Sequence, residues 1–350
     1  MYFVIAIEKK KIIVKRLLIL SHTQITMIMR KLWLLLALVL TFGMAAKAQV
    51  TYYGKELFNS QKLQLLQQTT TLFTLQYKNY QDLQQFDEAI KKVWTITPYK
   101  IIKPEELSKY QTAEQYSFFS FDTFNTKTDE TLTSNIIYSL ALVTPSDVPK
   151  KKNIYTLAYV TLSPDLYTGI NAQQRSGGNE ELTRTVKRNL IGDFYNSSIF
   201  FNWSPGFLAG YLKQINDGLL FGQSRSLDFQ FYNKIRVPEL TKETLYVPEY
   251  IRQLFSAQQP ASSLADEKLE PYNYKLKFVT SEQLDSLILA PQSNIKYLIY
   301  TRRTNDKIIS IYDSKDNQII YQMLSAGKPD VEMNDLNKIK QVIQTIASNK

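Results

Sequence analysis

The chain has 350 residues, 13% of them aromatic, with no cysteine, one histidine and a formal net charge of +10. Without thiols it forms no disulfide, cysteine nucleophile or thiolate metal site. Its one histidine, His22, precedes an export signal, so the rest of the chain has no His-based triad, His-ligated zinc or imidazole pH switch.

From Met29 the chain reads "MRKLWLLLALVLTFGMAAKAQ". Arg30 and Lys31 form a positive start, Leu32–Met44 an apolar run, and Ala46-Lys47-Ala48 a small-residue cleavage site before Gln49. This is the pattern of a secretory signal peptide cut between Ala48 and Gln49. The run is shorter than the roughly 20 residues of a membrane span, although an uncleaved anchor is the alternative. Met29 reads as the true start and residues 1–28 as an over-called extension; otherwise they are a long basic leader. The expected location is the periplasm or the outside of the cell. Residues 1–48 carry eight of the 42 basic residues and one of the 32 acidic ones, leaving 34 against 31, a net of +3. That balance gives no reason to expect a nucleic-acid partner. Lys150-Lys151-Lys152 and Arg302-Arg303 sit beside turn residues, where solvated strand ends explain them as well as a phosphate patch would.

The next residues predict two related α/β units of the α+β type, 49–170 and 226–350, joined by a helical segment, 171–225. "GKELFNSQKLQLLQQ" reads as helix and Thr69–Tyr77 as strand. Leu83, Phe86, Ile90 and Val93 recur at helical spacing, with charges on the opposite face. "YKII" is a strand, followed by a helix start at Pro104 that Glu105 and Glu106 suit through the helix dipole. Strands are expected over Tyr116–Phe121, Asn135–Val143 and Ile154–Leu162, with "EELTRTVKRNLI" as a following helix. The second unit repeats the order. "TLYVPEY" opens it, "YKLKFV" is a strand, and Ser281 is the expected helix cap. Ile295–Thr301, Lys307–Tyr312 and Gln318–Leu324 form an antiparallel meander between turn signals. A last helix buries Leu336, Ile339, Ile343 and Ile346. "KIIKPEEL" (Lys100–Leu107) and "KFVTSEQL" (Lys277–Leu284) align without a gap. An internal repeat explains this; convergent use of a common helix-start phrase is the alternative.

The connecting segment carries Phe200, Phe201, Trp203 and Phe207 around Pro205-Gly206, expected to break a helix. They form either a buried seam between the units or a ligand or partner groove. Gly177-Gly178 reads as a hinge and Ser256–Lys268 as a polar loop. Asp193, Asp217 and Glu249 are acids near aromatics, but they also read as a helix-surface residue, a residue near a helix end and an exposed strand end. "DSKDNQ" (Asp313–Gln318) has calcium-type oxygens without the glycine and distal glutamate, so a hairpin turn is expected. No phosphate loop or dinucleotide fingerprint occurs, and no cofactor or metal is expected.

The A-x-A-Gln signal end, "WTITPYKIIKPEEL", "NWSPGFLAGYLKQIN" and "TLYVPEY" resemble secreted two-domain proteins of Bacteroidota without assigned activity. The resemblance spans most of the chain after the signal and implies an envelope address, not a reaction. "YKIIKPEEL" is also similar to the strand–helix step of the TolB amino-terminal domain. The expected function is an exported, non-catalytic binding or scaffold protein, partnered by an envelope protein or a saccharide. The alternative is a carboxylate-dependent hydrolase of envelope polysaccharide. Two acids facing across an inter-unit cleft at about 5–10 Å would favour the hydrolase.

Overall fold

The computed structural model describes residues 49–54, 61–111, 113–127, 132–145, 152–175, 184–226, 230–256 and 272–348. The signal sequence, Gly177-Gly178 and most of the loop Ser256–Lys268 lie outside them. The described residues fall within one compact unit, Ala46–Lys350.

They build two mixed sheets with helices, an α+β architecture. The first sheet comprises β1 (Val50–Tyr53), β2 (Thr70–Thr74), β3 (Tyr99–Ile102), β4 (Tyr116–Lys127), β5 (Leu132–Pro145), β6 (Lys152–Thr161) and β7 (Ser224–Arg225), in the order β3-β2-β4-β5-β6-β1-β7. The second comprises β8 (Phe231–Tyr232), β9 (Leu245–Pro248), β10 (Leu276–Val279), β11 (Lys296–Arg302), β12 (Asp306–Asp313) and β13 (Gln318–Ala326), in the order β10-β9-β11-β12-β13-β8. The helices are α1 (Lys62–Gln67), α2 (Leu83–Val93), α3 (Leu107–Tyr110), α4 (Leu166–Arg175), α5 (Arg184–Asn196), α6 (Pro205–Leu220), α7 (Glu249–Ser256), α8 (Ser281–Leu289) and α9 (Met333–Ser348).

Five strands of each sheet follow one plan. β2 runs parallel to β3 and β4, then β5 and β6 alternate. β9 runs parallel to β10 and β11, then β12 and β13 alternate. The registers correspond as well. Thr71 lies opposite Tyr99 and Ser117, and Ser117 opposite Leu142. Leu245 lies opposite Leu276 and Lys296, and Lys296 opposite Asp313. One residue before the last rung, each meander slips register, between Leu140 and Ala141 and between Ile311 and Tyr312. A bulge inserts an unpaired residue, and here it falls on the same rung in both sheets. Lys100 and Lys277 then occupy equivalent rungs of the edge strands. Each strand leads into a helical start whose third residue accepts the cap N–H, Glu106 from Lys103 at 2.9 Å and Gln283 from Thr280 at 3.1 Å.

Two local expectations need correction. The cap of α8 is Thr280, whose Oγ1 accepts from Gln283 N at 3.3 Å, and Ser281 is already helical. Pro205-Gly206 starts a helix instead of breaking one, because Pro at the first helical position loses no intrahelical bond and Ser204 caps it through Phe207 N. The break lies upstream, where Phe200 makes an isolated bridge to Pro164.

α6 is buried nearly all round, as expected of a helix apolar on every face. It packs on α2, β1, α8 and β13, so one core runs from Phe73 and Phe119 of the first sheet to Tyr297, Tyr312 and Ile319 of the second. A separate core fills the other face of the second sheet, where Leu298, Tyr300, Ile309 and Ile311 meet Ile251 and Phe255 of α7 and Leu336, Ile339, Ile343 and Ile346 of α9. The alternation along β11 and β12 thus serves two cores. A small patch, Leu72, Ile102, Phe118 and Val143, backs the first sheet.

Glycine lets α6 approach this closely. A Cβ on Gly210 would lie 2.9 Å from Tyr297 Oη, and one on Gly218 only 2.2 Å from Tyr52 Cε2. Tyr52 is buried under the Arg225 guanidinium, 5.2 Å from its ring centre. Gly218→Ala gains up to about 1 kcal/mol of helix propensity but must displace that ring, at about 1–3 kcal/mol. The expected net result is a loss of about 1–2 kcal/mol in urea unfolding. Gly192→Ala in α5, where a Cβ meets nothing within 4 Å, should stabilise by about 0.5–1 kcal/mol. Equal effects at the two sites would refute the close-approach account.

Candidate functional site

The four aromatic residues singled out in the connecting segment lie at the seam between the sheets. Trp203 is 8% exposed. Its ring lies 4.7 Å from Tyr138, 5.1 Å from Phe121 and 6.0 Å from Phe86, and its Nε1 donates to Asn79 Oδ1 at 2.9 Å. Phe200 stacks on Phe121, Phe207 on Tyr297, and Phe201 on Tyr250. Trp203 and Phe200 therefore face the first sheet, while Phe207 faces β11 of the second sheet and Phe201 the start of α7.

Asn202, wholly buried, pins this seam. Its Oδ1 accepts from Ser163 N at 2.6 Å, and its Nδ2 donates to Thr161 O at 3.0 Å and Thr301 Oγ1 at 3.1 Å. Arg302 N donates to Ser163 Oγ at 2.9 Å. The ends of β6 and β11 are thereby tied side by side.

Beyond that tie both strands continue into a cavity of about 240 Å3. Leu162 and Pro164 come from the exit of β6, and Ser134, Asn135 and Ile136 from β5. Leu166, Gly169, Ile170, Ala172 and Gln173 come from α4, and Arg302, Arg303 and Thr304 from the β11–β12 hairpin. Ser134 N donates to Gln173 Oε1 at 3.2 Å, joining β5 to α4. Leu166, Ile170 and the neighbouring Tyr167 are exposed, so α4 gives the mouth an apolar rim.

Arg303 sets the cavity's charge. It is 8% exposed, against the expectation of a solvated strand end. Its Nε lies 3.2 Å from Asp306 Oδ1 and donates to Asn135 Oδ1 at 3.4 Å. Its Nη1 is buried and has no hydrogen-bond partner among the described residues. Arg302, half exposed, pairs with Asp330 at 3.0 Å. No carboxylate belongs to the described lining.

The acids lie elsewhere and are otherwise engaged. Asp193 pairs with Arg175, Asp217 with Lys213 at 2.9 Å, and Glu249 with Arg252 at 3.6 Å. Glu249 begins α7 instead of ending a strand. In the "DSKDNQ" turn, Asp313 and Asp316 hold Arg236. Burial pushes the Asp313 carboxyl up, but Lys296 at 2.8 Å, Lys315 N and Arg236 outweigh it and hold the group below the usual range. Among the described residues no cluster of His, Cys, Asp or Glu could hold a metal, and no helix is long and apolar enough to cross a membrane.

Asp285 of α8 behaves differently. Its Oδ1 accepts from Ser204 Oγ at 2.6 Å and Gly206 N at 2.9 Å, placing a carboxyl at the positive end of α6. Burial outweighs these bonds and raises it from 3.8 to about 6.

Searches against protein-family models, curated proteins and solved structures each find no match.

Trp203→Ala should cost about 3–5 kcal/mol in thermal or urea unfolding, as for other core aromatics; a cost under about 1 kcal/mol would mean the seam does not depend on it. Asp285 gives a pH dependence. Between pH 3.8 and about 6 the folded chain retains a proton that the unfolded chain has lost, so its contribution is full below 3.8 and declines as pH rises through 6. At 1.36 kcal/mol per pH unit of displacement the change is about 3 kcal/mol. Asp285→Asn should therefore gain about 2.5 kcal/mol on wild type between pH 4 and pH 7. Parallel pH–stability curves would contradict this.

Proposed function

We propose that the chain is an exported, non-catalytic binding protein of the cell envelope, cleaved after Ala48, with its ligand site in the cavity where β6, α4 and the β11–β12 hairpin meet. The carrying observation is the chemistry of that cavity: a buried guanidinium with an unmet donor, an apolar wall and no carboxylate in the described lining. A leftover buried donor costs about 1–3 kcal/mol, and a ligand acceptor toward which the guanidinium turns would recover that cost. The polysaccharide-hydrolase reading needs two carboxylates facing each other, and the described cavity lining supplies neither. The matched strand order, register and bulges support reading the two sheets as an internal repeat. The aromatic seam then serves as the packing between copies and the cavity as the functional surface. The signal pattern of Met29–Gln49 supports the envelope address.

The test uses protein purified from the cell envelope, whose N-terminal sequence should begin at Gln49. Small carboxylates, amines, alcohols and monosaccharides are then screened by thermal shift, with Gly169→Leu as control. A Cβ at Gly169 meets only Pro164 Cγ, at 3.6 Å, so leucine can enter the cavity without a backbone clash. The expected result is at least one compound that stabilises wild type and not Gly169→Leu. Saccharide hydrolysis, or stabilisation by no compound or equally in both proteins, would overturn the reading.

A further inference from the structure

Resting on that reading, we infer that the cavity takes a short-chain aliphatic carboxylate, with its head at Arg303 and its tail along α4. Four observations converge on this class. Arg302 and Arg303 line the site, while their acidic partners Asp330 and Asp306 do not. An anionic head therefore meets positive charge without facing a wall carboxylate.

The unmet Arg303 Nη1, closed to water in this structure, selects the head further once the guanidinium turns toward it. A planar guanidinium matches a planar carboxylate, and charge-assisted bonds of this type are about twice as strong as neutral ones. Asp306 and Asn135 contact the guanidinium on its Nε side, which leaves the Nη1 side to turn toward a head.

The third observation is the wall. Ile136, Leu162 and Ala172 are buried around the interior, and Leu166 and Ile170 stand 65% and 45% exposed at the rim. Large aliphatic side chains exposed beside a cavity lose water contact when an alkyl tail lies across them, at about 25 cal/mol per Å2. No aromatic ring belongs to the described lining. A sugar would forgo the stacking face and the many polar partners such ligands use.

The fourth is size. The volume of about 240 Å3 is below the roughly 300–1,000 Å3 of sites for drug-sized molecules. At about 30 Å3 per water-sized group it accommodates roughly eight such groups, which suits a chain of about six to eight carbons with its end at the rim. Nucleotides and full-length lipid tails exceed it.

Isothermal titration with sodium octanoate tests the inference, with octanol and octylamine as matched tails and inorganic phosphate as a bare anion. Octanoate should bind wild type at least about tenfold more tightly than any of the three, the margin of one charge-assisted hydrogen bond. Arg303→Lys keeps a cation for Asp306 but removes the planar fork, and should weaken octanoate about tenfold or more while the fold persists by circular dichroism. Ile170→Asp, at an exposed position that tolerates folding, should do the same by opposing the tail. Octanol matching octanoate, phosphate matching octanoate, or unchanged affinity in Arg303→Lys would each overturn the carboxylate assignment. If octanoate fails while another screened compound still depends on an open cavity at Gly169, the ligand class falls and the binding reading stands. If no compound depends on that cavity, both fall.

Discussion

The fold depends on how one buried amide is satisfied. Asn202 spends its side chain on three partners from two sheets, and its own carbonyl accepts from Tyr211 Oη at 2.9 Å. A buried polar group left unmet would cost about as much as several such bonds contribute net, so the arrangement selects one register of the two sheets against slipped ones. Tyr211 lies on α6 and is itself donated to by Gln49 Nε2 at 2.9 Å, next to β1. The tie therefore joins the first sheet, the second sheet and the central helix at one point. Apolar packing around Trp203 and Phe207 supplies the energy of the seam but is not directional. The amide network supplies the direction. The cavity follows from it, because two strand ends held side by side diverge into a turn and a helix, which cannot fill all the space between them.

Buried charge is handled in two ways. Lys296 and Asp313, opposite each other on β11 and β12, neutralise one another and recruit Glu239, Glu243 and Arg236. Lys307 and Asp335 pair at 2.6 Å beneath α9, where Asp335 also accepts Glu332 N. Those pairs are neutralised within the second sheet and the segments packed on it. Among the described residues Asp285 has no cation paired with it, only a hydroxyl and a helix end, so desolvation prevails and its carboxyl is held toward neutrality. It is also the acid that crosses from α8 to α6. A charge at a packing interface without a counter-ion makes that contact sensitive to pH in a way the internal pairs are not.

Much of the fold was legible in the sequence because its signals are local. The spacing of Phe86, Ile90 and Val93 gave α2, and the strand-like runs between the turn signals at Asn305-Asp306 and Lys315-Asp316-Asn317 gave the meander. The gapless match of Lys100–Leu107 with Lys277–Leu284 located equivalent strand–helix junctions. Errors came where two residues compete for one role. Thr280 and Ser281 can both cap, and the choice depends on which reaches Gln283 N. Pro205-Gly206 serves as a break or a start depending on the chain before it. The candidate site was less legible. The aromatic cluster was visible, but only burial shows how it packs. Arg303 was read as solvated because a basic pair beside a turn usually is. Its burial requires β5 and α4 to close over the hairpin, contacts separated by more than a hundred residues. The available hint was that "YLIYTRR" runs straight from a buried strand into the two arginines.

The paired sheets also explain why this cavity forms at the hairpin of the second sheet. Ser117 and Leu142 occupy the rungs that Lys296 and Asp313 hold in the second sheet. From that common point β4 continues to Lys127, while β11 ends at Arg302. The rung of Arg303 corresponds to that of Phe124, which in the longer hairpin still pairs with Asn135 and stacks on Tyr159. In the shorter hairpin the same rung is the turn, closed by Arg303 N donating to Asp306 O at 2.9 Å. A turn leaves the side chain of its first residue with no cross-strand neighbour ahead of it. Placing an arginine there, against the start of β5 in the other sheet, converts a difference in hairpin length into a guanidinium at the edge of a void. Hairpin length, not a special motif, thus determines where this cavity forms.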